Sequence, residues 1–398
     1  MTSHSDRHHA LIRDQFTAQS KTFGRLPAHS DAVPFLVEFC GVGPDSDVLD
    51  VACGPGIVAC ALAATARSVE GVDLAPAMLD QARNRQQVGG LRNLIWREAA
   101  AEHLPYRDGT FSHVVTRYSF HHFESPGTVL REMARVCRPG GRVIVADVII
   151  PTDKSAAYDR LETLRDPSHV HALDVETMRG LFAPAGLALE REGSYALDIE
   201  LEAQLSVSHP APGAAEELRR QVTSDIGRDE LGISARRESS AVWYSVPIGI
   251  FAARRQQLEL QMPESLPEMD GDPDKIADVL TNVLSNAGRF SPDAATIKLN
   301  VHAAFGDMLE ILVEDSGAGM PPQLLEELFE PFRIGGDIMR HQGGGAKTGG
   351  GLGLGLAIVR RFVEMHGGTV RIKPLPRGTQ VQILLPFSQD AAAPPTAE

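Results

Sequence analysis

The segment VLDVACGPGIVACAL, Val48–Leu62, decides the fold of the first part of the chain. A β-prone run ends at Asp50 to Ala52, a turn occupies Cys53–Gly56, and an apolar helical pattern begins at once. Glycine lacks a Cβ, so backbone can approach a ligand closely at such a turn, and the helix start presents N–H groups without internal partners. Downstream, the β-rich runs VEGVDL, HVVTRYS and GGRVIVADVI alternate with helical stretches at 57–66, 76–85 and 127–136. This alternation predicts βαβ units and a parallel sheet over a core at 47–150. Seventeen residues after Gly56, Asp73 closes the second run, where a carboxylate can take both hydroxyls of a ribose. Gly54-x-Gly56-x-x-Ala59 also satisfies a dinucleotide pattern, so an NAD oxidoreductase stays open on the loop alone. Asp50, four residues before Gly54, speaks against it: it would repel a pyrophosphate and suits a cationic ligand.

The rest of the first 255 residues frames this core. Residues 1–42 read as helical, with Phe16, Phe23, Phe35 and Phe39. FAPAGLALERE reads as a helix end and a strand, 193–242 as polar and helical, and AVWYSVPIGIFAARR (241–255) as a closing β-rich run. The segments 1–42 and 151–242 are expected to cover a substrate.

Composition narrows the class. The 398 residues are 43% hydrophobic, enough for two or three domains with their own cores. No apolar run reaches the roughly 20 residues of a membrane span, and MTSHSDRHHALIRDQF lacks the apolar stretch of a signal peptide. No membrane partner is expected, and the location is expected to be cytoplasmic. Four cysteines without a CxxC pair read as reduced thiols rather than a disulfide frame or zinc site. A formal net charge of −14 argues against nucleic acid, whose phosphates call for a cationic face.

The style changes near residue 255. LPEMDGDPDKIADVLTNVLSNAGRF reads as a helix capped by Asp272, with Pro273 as its first residue. TIKLNVHAAF and MLEILVED follow as a hairpin, then a glycine-rich stretch, a helix at 355–366, two closing β-rich runs and a disordered tail at 388–398. TGGGLGLGLAIV (348–359) is a second glycine loop entering a helix. A P-loop is excluded: in GGGAKT, Ala346 precedes the lysine and His341 stands at the first glycine position.

Two resemblances follow from these motifs. VLDVACGPG, GVDLAPAMLDQAR, AEHLPYRDGTFSHVV, HHF and VLREMARVCRPGGRVIVADV, in this order, resemble class I S-adenosylmethionine-dependent methyltransferases, in the group of the ubiquinone and menaquinone biosynthesis enzymes, over residues 10–255. RDPSHVHAL fits the same group. The resemblance implies that Asp50 and the Gly54/Gly56 backbone hold the amino-acid part of the cofactor, that Asp73 takes the ribose, and that Ala100 and Ala101 line the adenine. Arg117 would touch the cofactor or the acceptor. Ala100 stands where the family carries an adenine-binding Asp, with Glu98 and Glu102 as candidate substitutes. His121 and His122 sit at the carboxyl edge of a strand, where open α/β sheets bind ligands, and are candidate bases beside a reading as pocket walls. His169 and His171 are weaker candidates.

TNVLSNAGRFSP, VEDSGAGM, LFEPF and GGLGLGLAIV, in this order, resemble the ATP-binding domain of sensor histidine kinases over residues 258–387. By position, Asp315 would accept the adenine amine, Gly317 and Gly319 would line the base, and Asn286 would ligate Mg²⁺ with the ATP. Asn282 would approach the phosphates and Arg289 would stand where the family often has Lys. Gly351, Gly353 and Gly355 would let the lid backbone wrap the triphosphate. Hydrolysing relatives carry a Glu four residues before the metal-site Asn; Asn282 occupies that place here, which favours phosphoryl transfer or plain ATP binding. No helix with the phospho-accepting histidine precedes the domain. HSDAVP (29–34) has the proline offset without the adjacent acid.

The expected architecture is therefore α/β throughout: a Rossmann-like methyltransferase domain with a mostly parallel sheet at 1–255, then an α/β-sandwich histidine-kinase-like domain at 256–387. The expected function is methyl transfer from S-adenosylmethionine to a small-molecule acceptor, with a Mg-ATP-binding module that regulates it or phosphorylates a partner such as a response-regulator protein. The alternative is a signalling kinase whose methyltransferase-like half senses a ligand.

Overall fold

The computed structural model describes residues 4–210, 213–267, 269–291, 295–304, 306–317, 319 and 355–387. Two compact units emerge: residues up to Ala185 with Glu192–Ala253, and Gly186–Arg191 with residues from Arg254 onward.

In the first unit, helices α1 (His4–Gln19), α2 (Ala28–Asp31) and α3 (Val33–Cys40) lead into β1 (Asp47–Val51), α4 (Ile57–Leu62), β2 (Ser68–Asp73), α5 (Pro76–Val88), β3 (Leu94–Glu98), β4 (Phe111–Arg117), α6 (Pro126–Val136) and β5 (Cys137–Val148). Then follow α7 (Thr152–Arg165), α8 (Val175–Gly180), β6 (Leu187–Glu200), α9 (Leu201–Ser208), α10 (Ala214–Ser224), β7 (Arg236–Glu238) and β8 (Ala241–Arg255). The sheet order is β3-β2-β1-β4-β5-β8-β6, with β7 antiparallel on β8. β1 pairs in parallel with both β2 and β4, β2 with β3 and β4 with β5, so the core is a parallel sheet as the alternation predicts. β1 and β4 are buried almost throughout, since helices cover both faces of such sheets.

One expectation needs correction in part. The stretch from 193 to 200 is the end of β6, and 236–238 is β7; neither is helical. The period-2 signal lies in Tyr195, Leu197 and Ile199, which turn inward while Ser194, Ala196 and Asp198 are exposed. The polar character of the segment as a whole masks it. β3, LIWRE, also goes unread, because as an edge strand it alternates too weakly to stand out.

The second unit contains β9 (Gln257–Gln261), α11 (Pro273–Phe290), β10 (Thr296–Ala304), β11 (Met308–Glu314), α12 (Gly355–Met365), β12 (Thr369–Pro374) and β13 (Thr379–Pro386). Its sheet runs β12-β13-β11-β10-β9, antiparallel except for β9 on β10. Val279, Val283 and Ala287 of α11 and Val359 and Val363 of α12 lie in one buried cluster with Ile297, Leu299, Ile311, Val313 and Ile383, making a two-layer α/β sandwich. Asp272 caps α11 by accepting from the N–H groups of Asp274 and Lys275, with Pro273 first in the helix. Among the described residues no helix is long and apolar enough to cross a membrane.

Candidate functional site

The carboxyl ends of β1, β2 and β4 open onto one cavity in the first unit, and it gathers Asp50, Gly54, Asp73, Ala100, Ala101 and Arg117. α1 contributes His9, Ile12 and Phe16 to its wall. Two strands turn into it through left-handed backbone at non-glycine residues, Ala52 (φ 55°) after β1 and Tyr118 (φ 57°) after β4. Such backbone is uncommon outside glycine and clusters at ligand sites.

Gly54 and Gly56 part company here. Gly54 (φ 52°) has open space where a Cβ would stand, and its N–H donates to Asp73 Oδ2 at 2.7 Å. Gly56 (φ 72°) does not line the cavity: a Cβ there would lie 2.7 Å from Trp96 and 2.9 Å from the Ala82 Cβ. Its glycine serves the turn and the close packing against Ala82 of α5 and Trp96 of β3.

Charge is concentrated at one end. Asp50 is 2% exposed, its Oδ2 accepts from the Ala59 N–H at 2.9 Å, and burial raises its carboxyl to about 7 against the pull of Arg117. Burial likewise raises Asp73 to about 6, although the N–H groups of Ala75 and Gly54 hold its carboxylate. The Arg117 guanidinium donates through Nη2 to the His29 carbonyl at 2.6 Å and lies over the Tyr118 ring at 4.4 Å. Among the described residues its Nη1 is buried without a partner. A buried donor left unmatched costs about 1–3 kcal/mol. Glu102 also lines the cavity, 3.5 Å from His9 Nε2, whereas Glu98 pairs with Arg13 and does not.

A second cavity adjoins the first, sharing Phe16, Phe23, Tyr118 and His122. His121 lines only the second. Its Nδ1 lies 2.6 Å from Asp147 Oδ1, and Asp147, 1% exposed, also accepts from the N–H groups of Ser119, Phe120 and Val148. A carboxylate with four donors stays charged, so it accepts a hydrogen bond from the His121 Nδ1–H and leaves Nε2 as the basic atom. Burial works against charge on His121, but the Asp147 charge and hydrogen bond outweigh it and raise its basicity above that of an ordinary imidazole. His122 is different: burial and the neighbouring His121 lower it to about 3, and its Nδ1 meets the Ser168 carbonyl at 3.0 Å. His169 and His171 both bond Asp159, at 2.7 and 2.6 Å, and neither lines the cavities. His29 of HSDAVP is buried and stacked on Phe23 at 4.3 Å. Asp147 was not singled out from sequence, since IVADV reads as the interior of a buried strand.

In the second unit, Asp315 at the end of β11 accepts through Oδ1 from the N–H groups of Gly317 (2.7 Å) and Thr379 (3.2 Å), and burial raises its carboxyl. A Cβ on Gly317 would lie 2.5 Å from the Phe290 carbonyl, and Gly319 takes φ 75°. Gly378 (φ 95°) passes so close that its Cβ would stand 1.9 Å from the Asp315 carbonyl oxygen. Asn282 and Asn286 share one face of α11, and a Cβ on Gly355 would lie 3.0 Å from Asn282 Oδ1 and 3.9 Å from Asn286 Nδ2. Gly351, Gly353, LFEPF, GGGAKT, the side chain of Arg289 and the tail at 388–398 lie outside the described residues. Among the described residues no group of three or more His, Cys, Asp or Glu side chains is arranged to hold a metal ion.

Comparison with known proteins agrees with this division. The family described as a methyltransferase domain matches residues 49–145, and that described as histidine kinase-, DNA gyrase B- and HSP90-like ATPase matches residues 271–389. The chain is 31% identical over 177 residues to the uncharacterized methyltransferase YcgJ of Bacillus subtilis, covering 44% of this chain and 70% of that protein. The crystal structure of the YcgJ protein superposes with a TM-score of 0.53 at 21% identity, covering 57% of this chain and 98% of that one. The histidine protein kinase DivJ of Caulobacter vibrioides is 35% identical over 143 residues, 35% of this chain; the chain spans only 23% of DivJ.

Proposed function

We propose that this chain, which belongs to the methyltransferase family and carries a histidine-kinase-like ATPase domain after it, transfers a methyl group from S-adenosylmethionine to a small-molecule acceptor. The observation that supports the reading is the cavity lined by both Asp50 and Arg117, whose Nη1 has no hydrogen-bond partner among the described residues. An anion and a cation in one buried site suit a zwitterionic amino-acid group, whose carboxylate would supply the acceptor that Nη1 lacks. Asp50 and Gly54 would hold the amino-acid end, Asp73 the ribose, and Ala100, Ala101 and Glu102 the adenine. The division of the chain at 255/256 is part of the same proposal.

The cofactor, when bound, supplies a methyl group already activated on a sulfonium. The protein's contribution is alignment, exclusion of water and, for an acceptor that must lose a proton, a base. His121 meets the third requirement better than His122. Its Nε2 would take the proton while Asp147 steadies the resulting imidazolium, and the Phe16 and Phe23 rings form wall shared by the two cavities.

The second unit would bind Mg-ATP through Asp315, Gly317, Gly319, Asn282 and Gly355. Asn286 would supply one oxygen to the Mg²⁺, which readily completes its shell with phosphates and water. Asn282 has no proton-accepting group for activating water, so transfer to a partner protein or regulation of the first unit is favoured over hydrolysis. The alternative, a kinase-like protein whose first unit senses a ligand, draws on Ala100, the missing adenine carboxylate.

The test is calorimetric titration of the full chain with S-adenosylhomocysteine, with and without Mg²⁺ and a non-hydrolysable ATP analogue, followed by assay of labelled methyl transfer to a panel of small molecules. No binding of S-adenosylhomocysteine would sink the reading. Binding without transfer would favour the sensor, and a shift in affinity with nucleotide would show a coupling free energy between the sites.

A further inference from the structure

The sheet of the second unit ends on an uncovered strand. β9 is outermost in the order β12-β13-β11-β10-β9, and all five of its residues are exposed. Its register on β10 sets Leu258 beside Ile297 and Leu260 beside Leu299. Ile297 and Leu299 are 1% and 8% exposed within the buried cluster, whereas Leu258 and Leu260 are 47% and 53% exposed. Met262, two residues beyond Leu260, is 56% exposed. The apolar face of the sheet thus continues onto β9 while its cover stops at β10. Natural sheet edges are commonly guarded by Lys, Pro or a bulge. Between Gln257 and Met262 there is no Lys and no Pro, and the register on β10 runs without a bulge.

This edge complements itself. QLELQM, Gln257–Met262, can lie antiparallel on a second copy with the two-fold axis at Leu260. Leu260 then meets itself, Leu258 meets Met262, and Glu259 meets Gln261, whose amide can donate to the carboxylate. All the apolar side chains of both copies fall on one face. Pro263 bounds this ladder at one end, and Gln256, the single residue between β8 and β9, at the other. Other axes fit less well. At Glu259, two carboxylates would stand face to face, which destabilises the pair. At Leu258, Met262 would fall opposite Arg254, which already belongs to β8.

We infer that β9 is the interface for a second copy of this chain, paired antiparallel about Leu260 so that two five-stranded sheets join into one. An isologous interface requires one patch to complement itself, and this edge does so in hydrophobicity, charge and register at once. The apolar contact is small, so the association is of the transient class. It does not rest on the function proposed above.

The experiment is sedimentation velocity of the full chain from about 1 to 100 µM. The weight-average mass rises toward twice that of one chain. Leu260→Lys sets two ammonium groups face to face and moves the rise to at least about tenfold higher concentration, with the thermal midpoint in dilute solution unchanged. Leu260→Cys reads the register, and serves as well if the lysine variant does not fold. Under diamide it gives a disulfide-linked dimer, since residues directly opposite have Cβ atoms about 4.5–5.5 Å apart. Glu259→Cys links at least about tenfold more slowly, because its two copies lie diagonally, about 7–8 Å apart. The natural chain under diamide corrects for Cys60, the one cysteine that is not buried. A chain that stays monomeric overturns the inference and leaves the edge to a strand of another protein. An unmoved rise in Leu260→Lys, no linked dimer of Leu260→Cys, or equal linking of the two cysteine variants overturns it too.

Discussion

His121 Nδ1 and Asp147 Oδ1 lie 2.6 Å apart across the carboxyl ends of β4 and β5, and the carboxylate is fixed by three backbone N–H groups as well. In the proposed reaction this pair would make His121, rather than the adjacent His122, the base. His121→Ala is expected to lower kcat by about 10²–10⁴ for an acceptor that loses a proton, with little change in S-adenosylhomocysteine affinity. His122→Ala is expected to leave the pH profile in place, because a ring held near 3 does not change charge in the working range. The profile itself is the sharper test. The active form has His121 unprotonated, so the rate rises with pH through an apparent value above the ordinary imidazole value of about 6.5. Asp147→Asn removes the opposing charge and leaves burial alone, which moves the limb to lower pH while kcat falls. A limb that stays in place would remove His121 from the base role.

Asp50 and Asp73 set a second pH dependence. Burial raises them to about 7 and about 6, against about 3.9 in an unfolded chain. Protonated Asp50 cannot pair with an ammonium group and protonated Asp73 is a weaker acceptor for ribose hydroxyls, so S-adenosylhomocysteine affinity should climb between pH 5 and 8. Stability of the unliganded protein runs the other way. A raised carboxyl contributes stability that is fully present below about pH 4 and is lost as the pH rises through 6 and 7. The thermal shift on adding S-adenosylhomocysteine should therefore be larger at pH 8 than at 5.5, and Asp50→Asn should flatten that difference. Equal shifts at both values would mean that neither carboxyl meets the cofactor.

Much of this site is legible in the chain because strand ends announce themselves. Asp50, Gly54, Asp73 and Arg117 each sit where a β-rich run breaks, and the parallel order brings the breaks to one edge. What escapes has other causes. Gly56 reads as a ligand-approach glycine, yet the constraint on it is Trp96, forty residues on and invisible until β2 and β3 pair. Asp147 hides inside a strand that burial alone would explain, and only the fold sets it against His121.

The adenine end offers a test of substitution within the family pattern. Ala100 lines the cavity without a polar side chain, and Glu102, paired to His9, is the nearby carboxylate that faces the same space. Ala100→Asp should tighten S-adenosylhomocysteine binding, by about 1.5–3 kcal/mol if a full charge-assisted hydrogen bond forms. Glu102→Gln should weaken it if Glu102 now holds the exocyclic amine. Tighter binding in Ala100→Asp together with indifference at Glu102→Gln would mean that the amine is unpaired in the natural protein.

The second unit turns on Asp315 and Gly378. Asp315 is held by the N–H groups of Gly317 and Thr379, and Gly378 passes so near its carbonyl that a Cβ would stand at 1.9 Å, on backbone with φ 95°. The two substitutions here separate recognition from support. Asp315→Asn keeps the shape and loses a charge-assisted acceptor, so ATP affinity should fall by about 1.5–3 kcal/mol with the thermal midpoint nearly unchanged. Gly378→Ala forces a Cβ into the Asp315 backbone at a conformation L-residues rarely adopt, so it should lower stability and ATP affinity together. Neither should alter S-adenosylhomocysteine affinity by more than about twofold. If Asp315→Asn instead binds ATP as well as the natural protein does, the adenine is recognised elsewhere in this unit, and the Asp315–Thr379 contact is only a clasp between β11 and β13.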